Sequence, residues 1–280
     1  MTYFVTKEKI DAYIQNLRLE ERCEATASRY RLALTRLYDY LPEDKTVTKE
    51  LLLDWKESIQ KKHAASTVNV MISAVNNFCA FMDWNNLRIK QVKKQRTVYR
   101  DSHREMTKQE YMRLLQAALA TGNIRLFFLM QTLASTGIRI SELLFITVEA
   151  LRAGSAMVNC KGKMRKIFIP KQLRKKLLEY CRDRNITSGP VFITKSGKPM
   201  SRSNIWRDLR KLCAAANVDP HKVFPHNFRH LFAVTYYRQE KDLAKLADLL
   251  GHASINTTRI YIMESGEEHE RQMEQLGLVL

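Results

Sequence analysis

Residues 242 to 263 read DLAKLADLLGHASINTTRIYIM. In this stretch a helix-like apolar pattern is followed by a histidine and a tyrosine. The apolar periodicity of its first letters predicts a helix, which Gly251 ends. His252 follows that glycine, and Tyr261 lies nine residues further on, after a run of small hydroxyl residues. Since the chain holds 11 tyrosines, the placement of this one calls for a chemical explanation.

The composition indicates a folded protein that binds a polyanion. With 280 residues, 45% of them hydrophobic, the chain can bury one large or two modest cores. The net charge is +18, the electrostatic signature of a nucleic-acid-binding protein. The charge is strongest in the second part, where residues 106–280 carry 28 basic against 15 acidic residues.

Other classes of protein fit the sequence poorly. No stretch approaches the 18 consecutive apolar residues of a membrane span. The start, MTYFVTKEKIDAYIQNL, has charges where a signal peptide needs an apolar run, so we expect a cytoplasmic, nucleoid-associated protein. The five cysteines are scattered without a C-x-x-C pair, which favours reduced thiols over disulfides or zinc ligands.

The first part of the chain, residues 1–95, carries only helix signals. Four amphipathic segments predict a four-helix module, with Thr6 as the first N-cap and Ser66 as the cap of the last helix. Residues 96–105 lose this periodicity and are rich in positive charge, which predicts a basic linker lying against DNA.

The second domain, residues 106–280, mixes helices with a small sheet. SAMVNC and RKIFIP, separated by a turn at Lys161-Gly162-Lys163, predict a β-hairpin, and PVFIT is a possible third strand. Helices occupy most of the rest. The fold class we expect is mainly α with a small β-sheet, an α+β catalytic domain behind a helical domain.

Cleavage of a DNA phosphodiester without a metal needs cationic donors, a nucleophile and an acid for the leaving oxygen. The residues of the second domain supply these types. His226 and His230 lack the glutamate of an H-E-x-x-H zinc site, and no Walker glycine loop is present, so we expect no metal and no other cofactor. The candidate site residues are Arg139, Glu142, Lys161, His226, Arg229, His252 and Tyr261.

Taken in order, these fragments resemble the signature of the tyrosine recombinases, the family of phage integrases and Xer-type recombinases. The family has arginine in T-G-x-R-x-x-E-L, lysine in a hairpin turn, H-x-x-R on a helix, then L-G-H and a tyrosine nine residues later. The matching segments here are TGIRISELL, CKGKMRK, PHNFRH and LGHASINTTRIY. The resemblance covers the second domain and, more loosely, the first, which it identifies as a SAM-like core-binding domain.

The resemblance implies a role for each matched residue. Tyr261 would be the nucleophile that forms a 3′-phosphotyrosyl link, and Arg139 and Arg229 would bind the phosphate. Lys161 would protonate the leaving 5′-oxygen, His226 would act in acid/base transfer, and His252 would hydrogen-bond the phosphate. The remaining residue, Glu142, matches an acidic position that supports the site.

Two choices of residue remain open on sequence grounds. Lys163 is an alternative to Lys161 as the general acid, although Lys161 precedes the glycine as in the family pattern. Tyr236 and Tyr237 could serve as nucleophile by residue type, but they follow Arg229 on the same predicted helix, so we interpret them as packing residues.

The expected function is a site-specific recombinase that cuts and rejoins double-stranded DNA without metal or ATP. Its expected partners are specific core sites and other protomers in a tetrameric synapse. The outcome could be integration, excision, inversion or dimer resolution. The alternatives are a type IB topoisomerase and a non-catalytic DNA-binding regulator. The tail after Tyr261 favours the recombinase, because its apolar residues could contact a neighbouring protomer.

Overall fold

The structure is a computed structural model that describes residues 3–93, 104–160, 163–252, 254–261 and 273–276. The chain divides into two compact units, Met1–Arg96 and Thr97–Leu280. The described part is mainly helical with two small sheets, so the expected fold class is confirmed. Residues 96–103 of the expected basic linker, 96–105, lie outside the described residues.

Four helices build the first unit, as the apolar periodicity predicts. Thr6 accepts a hydrogen bond from the Lys9 backbone N–H and caps the first helix. The fourth helix begins at Ala65 instead of after Ser66, so the cap predicted there is wrong. The extended Ala64 precedes that helix, and its carbonyl accepts the first helical N–H groups. The helices are α1 (Lys7–Leu19), α2 (Glu24–Tyr40), α3 (Lys49–Gln60) and α4 (Ala65–Phe81).

A two-stranded sheet accompanies these helices, which corrects the expectation of helices alone. β1 (Tyr3–Phe4) pairs antiparallel with β2 (Thr46–Val47). Two residues are too short for an alternating pattern to be visible in the sequence. Large side chains fill the core of this unit, among them the fully buried Trp55 and Phe78.

The second unit holds the larger core, which its helices and a β-hairpin build together. A capping box at Thr107 and Glu110 starts its first helix, as the threonine in the sequence indicates. The elements are α5 (Lys108–Ala120), α6 (Ile124–Thr136), α7 (Val148–Ala153), β3 (Ser155–Cys160), β4 (Lys163–Phe168), α8 (Lys171–Asp183), α9 (Arg202–Ala216), α10 (Pro225–Glu240), α11 (Leu243–Leu250) and α12 (Ile255–Arg259).

The predicted hairpin is present as the antiparallel pair β3–β4, with Ser155 opposite Phe168. Its second strand begins two residues earlier than expected, at Lys163. The predicted third strand over PVFIT is wrong, because in the described part of the chain this segment makes only isolated bridges. Pro190 has no N–H to give to a ladder, and the Val191 N–H bonds the Ile146 carbonyl.

Glycines in the left-handed conformation end two helices beside the candidate site. Gly137, at φ +61°, ends α6 and turns the chain towards Arg139. Gly251, at φ +63°, ends α11 and turns the chain towards His252. L-residues with a side chain adopt this conformation at a cost, so both positions favour glycine. None of the described helices is both long enough and apolar enough to cross a bilayer.

We expect Gly137→Ala to destabilise the protein more than Gly197→Ala. Both glycines have positive φ, which costs an alanine about 1 kcal/mol. A Cβ at Gly137 would lie 2.4 Å from the Phe232 ring, whereas one at Gly197 would meet nothing within 4 Å. The crowding should add about 1 to 3 kcal/mol at Gly137. Urea unfolding of both variants measures the difference, and equal losses would contradict this account.

Candidate active site

Tyr261 lies at the centre of a cluster of three histidines. Its side chain is buried, and its hydroxyl lies 3.2 Å from Nε2 of His226. The His252 ring lies nearly parallel to the phenol, with centroids 5.6 Å apart and an interplanar angle of 8°. His230 stacks on the phenol at the same centroid distance and 28°. The phenol ring is therefore held by three imidazoles while its hydroxyl contacts one of them.

Arg229 is buried beside this cluster and is bound to the ends of two helices. Its Nη1 donates to the Gly137 carbonyl at 2.6 Å and its Nη2 to the Leu250 carbonyl at 2.7 Å. Only 2% of the residue is exposed. Burial, followed by the nearby positive charge of Arg139, lowers the pKa of Arg229 to about 10. The guanidinium therefore stays charged at neutral pH.

The tautomer of His252 follows from its two neighbours. Nη2 of Arg229 can only donate, so His252 Nε2, at 2.9 Å, accepts. The ring proton then lies on Nδ1, which donates to the buried Thr258 hydroxyl at 2.7 Å. Burial, then the charges of Arg229 and Arg139, lower the pKa of His252 to about 4. His252 is neutral at pH 7, and its bond to Thr258 fixes α12 next to the site.

Glu142 fixes the second phosphate-binding candidate, Arg139. One carboxylate oxygen accepts from Arg139 Nη1 at 3.0 Å, and the other accepts from the Arg139 backbone N–H at 2.8 Å. Arg139 Nη2 also donates to the Gly251 carbonyl at 3.2 Å. Because Glu142 is buried while the Arg139 side chain is 36% exposed, the carboxylate anchors a guanidinium that solvent can still reach.

Arg165 completes this group, although sequence reasoning missed it. Its Nη2 donates to Glu142, and its Nη1 donates to the Leu249 carbonyl at the end of α11. Its Nε is buried without a partner within the described residues. The signal that could have found Arg165 is strand alternation, which places it on the same face of β4 as the buried Ile167.

Burial by itself would raise the pKa of Glu142. The hydrogen bond from Arg165, then that from the Arg139 backbone, outweigh it and hold the pKa below its ordinary value. Glu142 is therefore an ionised carboxylate that two arginines share, and the site keeps a net positive charge from Arg139, Arg165 and Arg229.

The structure leaves the choice of lysine open. Lys161 lies outside the described residues, as does the side chain of Lys163. The rival tyrosines Tyr236 and Tyr237 pack against a small apolar cluster that includes Ala233 and Leu246. In the described part of the chain, no three His, Cys, Asp or Glu side chains converge as a metal-ligand group.

The arrangement combines an anion site with a phenol. Arg139 and Arg229 belong to different elements, and both donate hydrogen bonds to carbonyls at the end of α11. Beside them, the Tyr261 hydroxyl contacts the imidazole of His226. Guanidinium groups match the geometry of phosphate oxygens, and a phenol that contacts an imidazole can pass its proton to that ring as it attacks. The site is therefore suited to nucleophilic attack on a phosphate.

We expect Glu142→Gln to lower the free energy of unfolding by roughly 3 kcal/mol at pH 7, because it leaves two arginines without their shared charge. The lowered pKa of Glu142 means that its stabilisation is present above the ordinary carboxyl pKa and is lost as the pH falls. The difference from wild type should therefore shrink between pH 7 and pH 3. Urea unfolding across this range measures it, with the exposed Glu179→Gln as control. A difference that is independent of pH would contradict the shared-charge account.

The family comparisons agree with the sequence signature. Residues 104–268 match the model of the phage integrase family, and residues 10–86 match that of the phage integrase N-terminal SAM-like domain. The first match alone covers more than half of the chain.

Curated relatives match almost the whole chain. Tyrosine recombinase XerA of Pyrococcus furiosus is 25% identical over 97% of this chain and 95% of its own length. Tyrosine recombinase XerC of Roseiflexus sp. is 28% identical over 91% of this chain and 88% of its own.

Solved structures share the fold. A lambda integrase (75–356) dimer bound to a COC′ core site superposes with a TM-score of 0.75 at 20% identity, covering 95% of this chain and 97% of that one. The XerH recombinase bound to its difH substrate, before cleavage, gives a TM-score of 0.71 at 18% identity, covering 96% and 84%. The chain therefore belongs to the phage integrase family and is a tyrosine recombinase, an enzyme of site-specific DNA recombination.

Proposed function

We propose that Tyr261 is the nucleophile of strand cleavage and that the residues around it activate the DNA phosphate. The observation that carries the proposal is the Tyr261 hydroxyl, buried and 3.2 Å from His226. The phenolic oxygen attacks phosphorus, the bond from phosphorus to the 5′-oxygen breaks, and a 3′-phosphotyrosyl link forms. Attack by a 5′-hydroxyl reverses these steps. The covalent link conserves the energy of the broken bond, so religation needs no ATP.

Arg139 and Arg229 stabilise the charge that develops on the non-bridging oxygens. Each guanidinium can donate two hydrogen bonds to a phosphate. Arg229 is fixed by two backbone carbonyls and Arg139 by Glu142, so neither has to reorganise during the reaction. By comparison with single oxyanion-hole donors, each contributes roughly 3 to 4 kcal/mol to the transition state.

His226 and His252 have different roles in the reaction. His226 takes the proton of the Tyr261 hydroxyl during attack and returns it during religation. His252 contacts the phosphate, and to donate from Nε2 it needs its proton on that atom. Since Arg229 and Thr258 select the tautomer protonated on Nδ1, we expect phosphate binding to shift the ring to the other tautomer.

A lysine at the tip of the β3–β4 hairpin supplies the proton for the leaving 5′-oxygen. Lys161 is our choice and Lys163 the alternative, because Lys161 precedes Gly162 as in the family pattern. Glu142 acts on the chemistry only through Arg139, which it holds.

Double-stranded DNA is the proposed substrate, at specific core sites that a tetramer brings together. The basic charge of the chain supports this, as do relatives solved on DNA, among them a lambda integrase tetramer bound to a Holliday junction. An enzyme with this substrate is expected to work in the cytoplasm, on the nucleoid. The recombination outcome can be integration, excision, inversion or dimer resolution.

We expect a nicked suicide substrate carrying the correct site to trap a covalent adduct on Tyr261. Tyr261→Phe should abolish the adduct while DNA affinity changes by less than about twofold, because only one hydroxyl is lost. Tyr236→Phe is the matched control and should retain cleavage. Peptide mapping of the adduct identifies the nucleophile, and an adduct on Tyr236 or Tyr237 would overturn the assignment. Cleavage should persist in EDTA, and loss of cleavage there would indicate a metal-dependent nuclease.

Arg139→Ala and Arg229→Ala should each lower the cleavage rate by a factor on the order of a hundred to a thousand, because each removes one charge-stabilising contact. Single-turnover rates at saturating DNA measure the loss. Arg152→Ala, which removes an exposed arginine of the same unit, is the control. A loss that appears only in DNA affinity would assign these arginines to binding alone.

The segment from Ser265 onward is proposed to join protomers on DNA. Only Met273–Leu276 of it is described, and both Met273 and Leu276 are exposed. Deleting residues 265–280 should weaken cooperative binding to a two-site duplex while sparing binding to a single site. Gel-shift titrations on both duplexes test this, and unchanged cooperativity would exclude the tail as the link between protomers.

A further inference from the structure

His230 has no part in the phosphate chemistry proposed above, yet it contacts the nucleophile directly. It follows Arg229 on α10 and is 97% buried, with an exposed fraction of 3%. Its Nε2 lies 3.1 Å from the backbone carbonyl oxygen of Tyr261. Its ring also stacks on the phenol, with centroids 5.6 Å apart.

The direction of this hydrogen bond is determined by chemistry. A carbonyl oxygen can only accept, so Nε2 of His230 carries a proton and donates it. The other ring nitrogen, Nδ1, lies 4.0 Å from a carboxylate oxygen of Glu105. This separation is longer than a hydrogen bond. The position of the His230 ring is therefore defined by its hydrogen bond to the Tyr261 carbonyl and by its stacking on the phenol.

His226 and His230 together hold Tyr261 at two points. They lie four residues apart on α10, which places them one helical turn apart on the same face. The first contacts the phenolic oxygen, and the second contacts the carbonyl oxygen of the same residue. One turn of α10 therefore contacts both the main chain of Tyr261 and its phenolic oxygen.

The main chain at Tyr261 needs such a restraint, because α12 ends two residues earlier, at Arg259. The Tyr261 N–H bonds the Thr258 carbonyl at 2.9 Å, and the Tyr261 carbonyl accepts from His230. Both polar main-chain groups of the residue are therefore held.

We propose that His230 is a positioning residue that sets the distance and direction from which Tyr261 attacks, through its hydrogen bond to the Tyr261 carbonyl. The proposal rests on the role of Tyr261 as the nucleophile. It assigns His230 to the placement of the reacting oxygen and leaves phosphate activation to Arg139 and Arg229. Misplacement of a reacting atom by about 1 Å can cost on the order of a hundredfold in rate.

Three variants separate the hydrogen bond from the ring and from the fold. His230→Phe keeps a stacking ring and removes the donor, whereas His230→Gln keeps an N–H that can reach the same carbonyl. Glu105→Gln removes the negative charge 4.0 Å from the ring and leaves the histidine in place. His221→Gln replaces an exposed histidine of the same unit and serves as the control.

The measurements are the single-turnover cleavage rate at saturating suicide substrate, the dissociation constant for DNA, and the thermal midpoint. We expect His230→Phe to lower the rate at least about tenfold, with the dissociation constant within about twofold of wild type. His230→Gln should recover most of the rate, and Glu105→Gln should keep a rate close to wild type because the hydrogen bond to the Tyr261 carbonyl remains. The control should match wild type in all three measurements.

Two results would overturn the proposal. One is wild-type cleavage by His230→Phe. The other is an equal loss of rate in the Phe and Gln variants that follows a lower thermal midpoint, which would make His230 a packing residue. If His230→Phe fails to fold, His230→Gln decides, because a loss of rate of about tenfold or more at an unchanged thermal midpoint, with the donor retained, would overturn the role of the hydrogen bond. Peptide mapping of the wild-type adduct tests the role of Tyr261 separately, so failure of one proposal is distinguishable from failure of the other.

Discussion

The buried carboxylate of Glu142 is the interaction on which the arrangement of the site depends. It binds Arg139 from the turn after α6 and Arg165 from β4, and Arg165 in turn binds the end of α11. Three elements that are distant in sequence therefore meet at one negative charge. A buried carboxylate is stable only when it is paired, and arginines brought this close repel one another without it. The two arginines and the Glu142 carboxylate therefore stabilise each other, and removing either charge would destabilise the other.

The proposed nucleophile, Tyr261, is placed by contacts of a different kind. It follows a short helix that is fixed by the bond between His252 and Thr258, and its phenol lies among three imidazoles. Of these, His252 is neutral at pH 7 and adds no charge beside the phenol. The positive charge comes from the nearby guanidinium groups. Charge and phenol are thus supplied by separate parts of one small region.

The sequence predicts much of this arrangement, because helix periodicity and motif spacing are local properties. The α10 and α11 segments, with Arg229 and His252, follow from them. It does not predict the role of Arg165, because strand alternation indicates which face of β4 the residue occupies and not its partner Glu142, which lies 23 residues away. It also does not predict the contact of His230 with Tyr261 or the pair β1–β2, which depend on tertiary packing.

The attachment of Arg229 to two helix ends has a consequence for the thermodynamics of catalysis. The carbonyls of Gly137 and Leu250 each accept one N–H of a single planar group. Because both of these nitrogen atoms are held, the plane of the guanidinium is fixed, and so is the direction of its remaining N–H groups. A phosphate bound as proposed therefore meets an oriented group instead of a flexible side chain. The entropy of ordering this guanidinium is lost once, when the chain folds, and does not have to be lost again in each catalytic cycle.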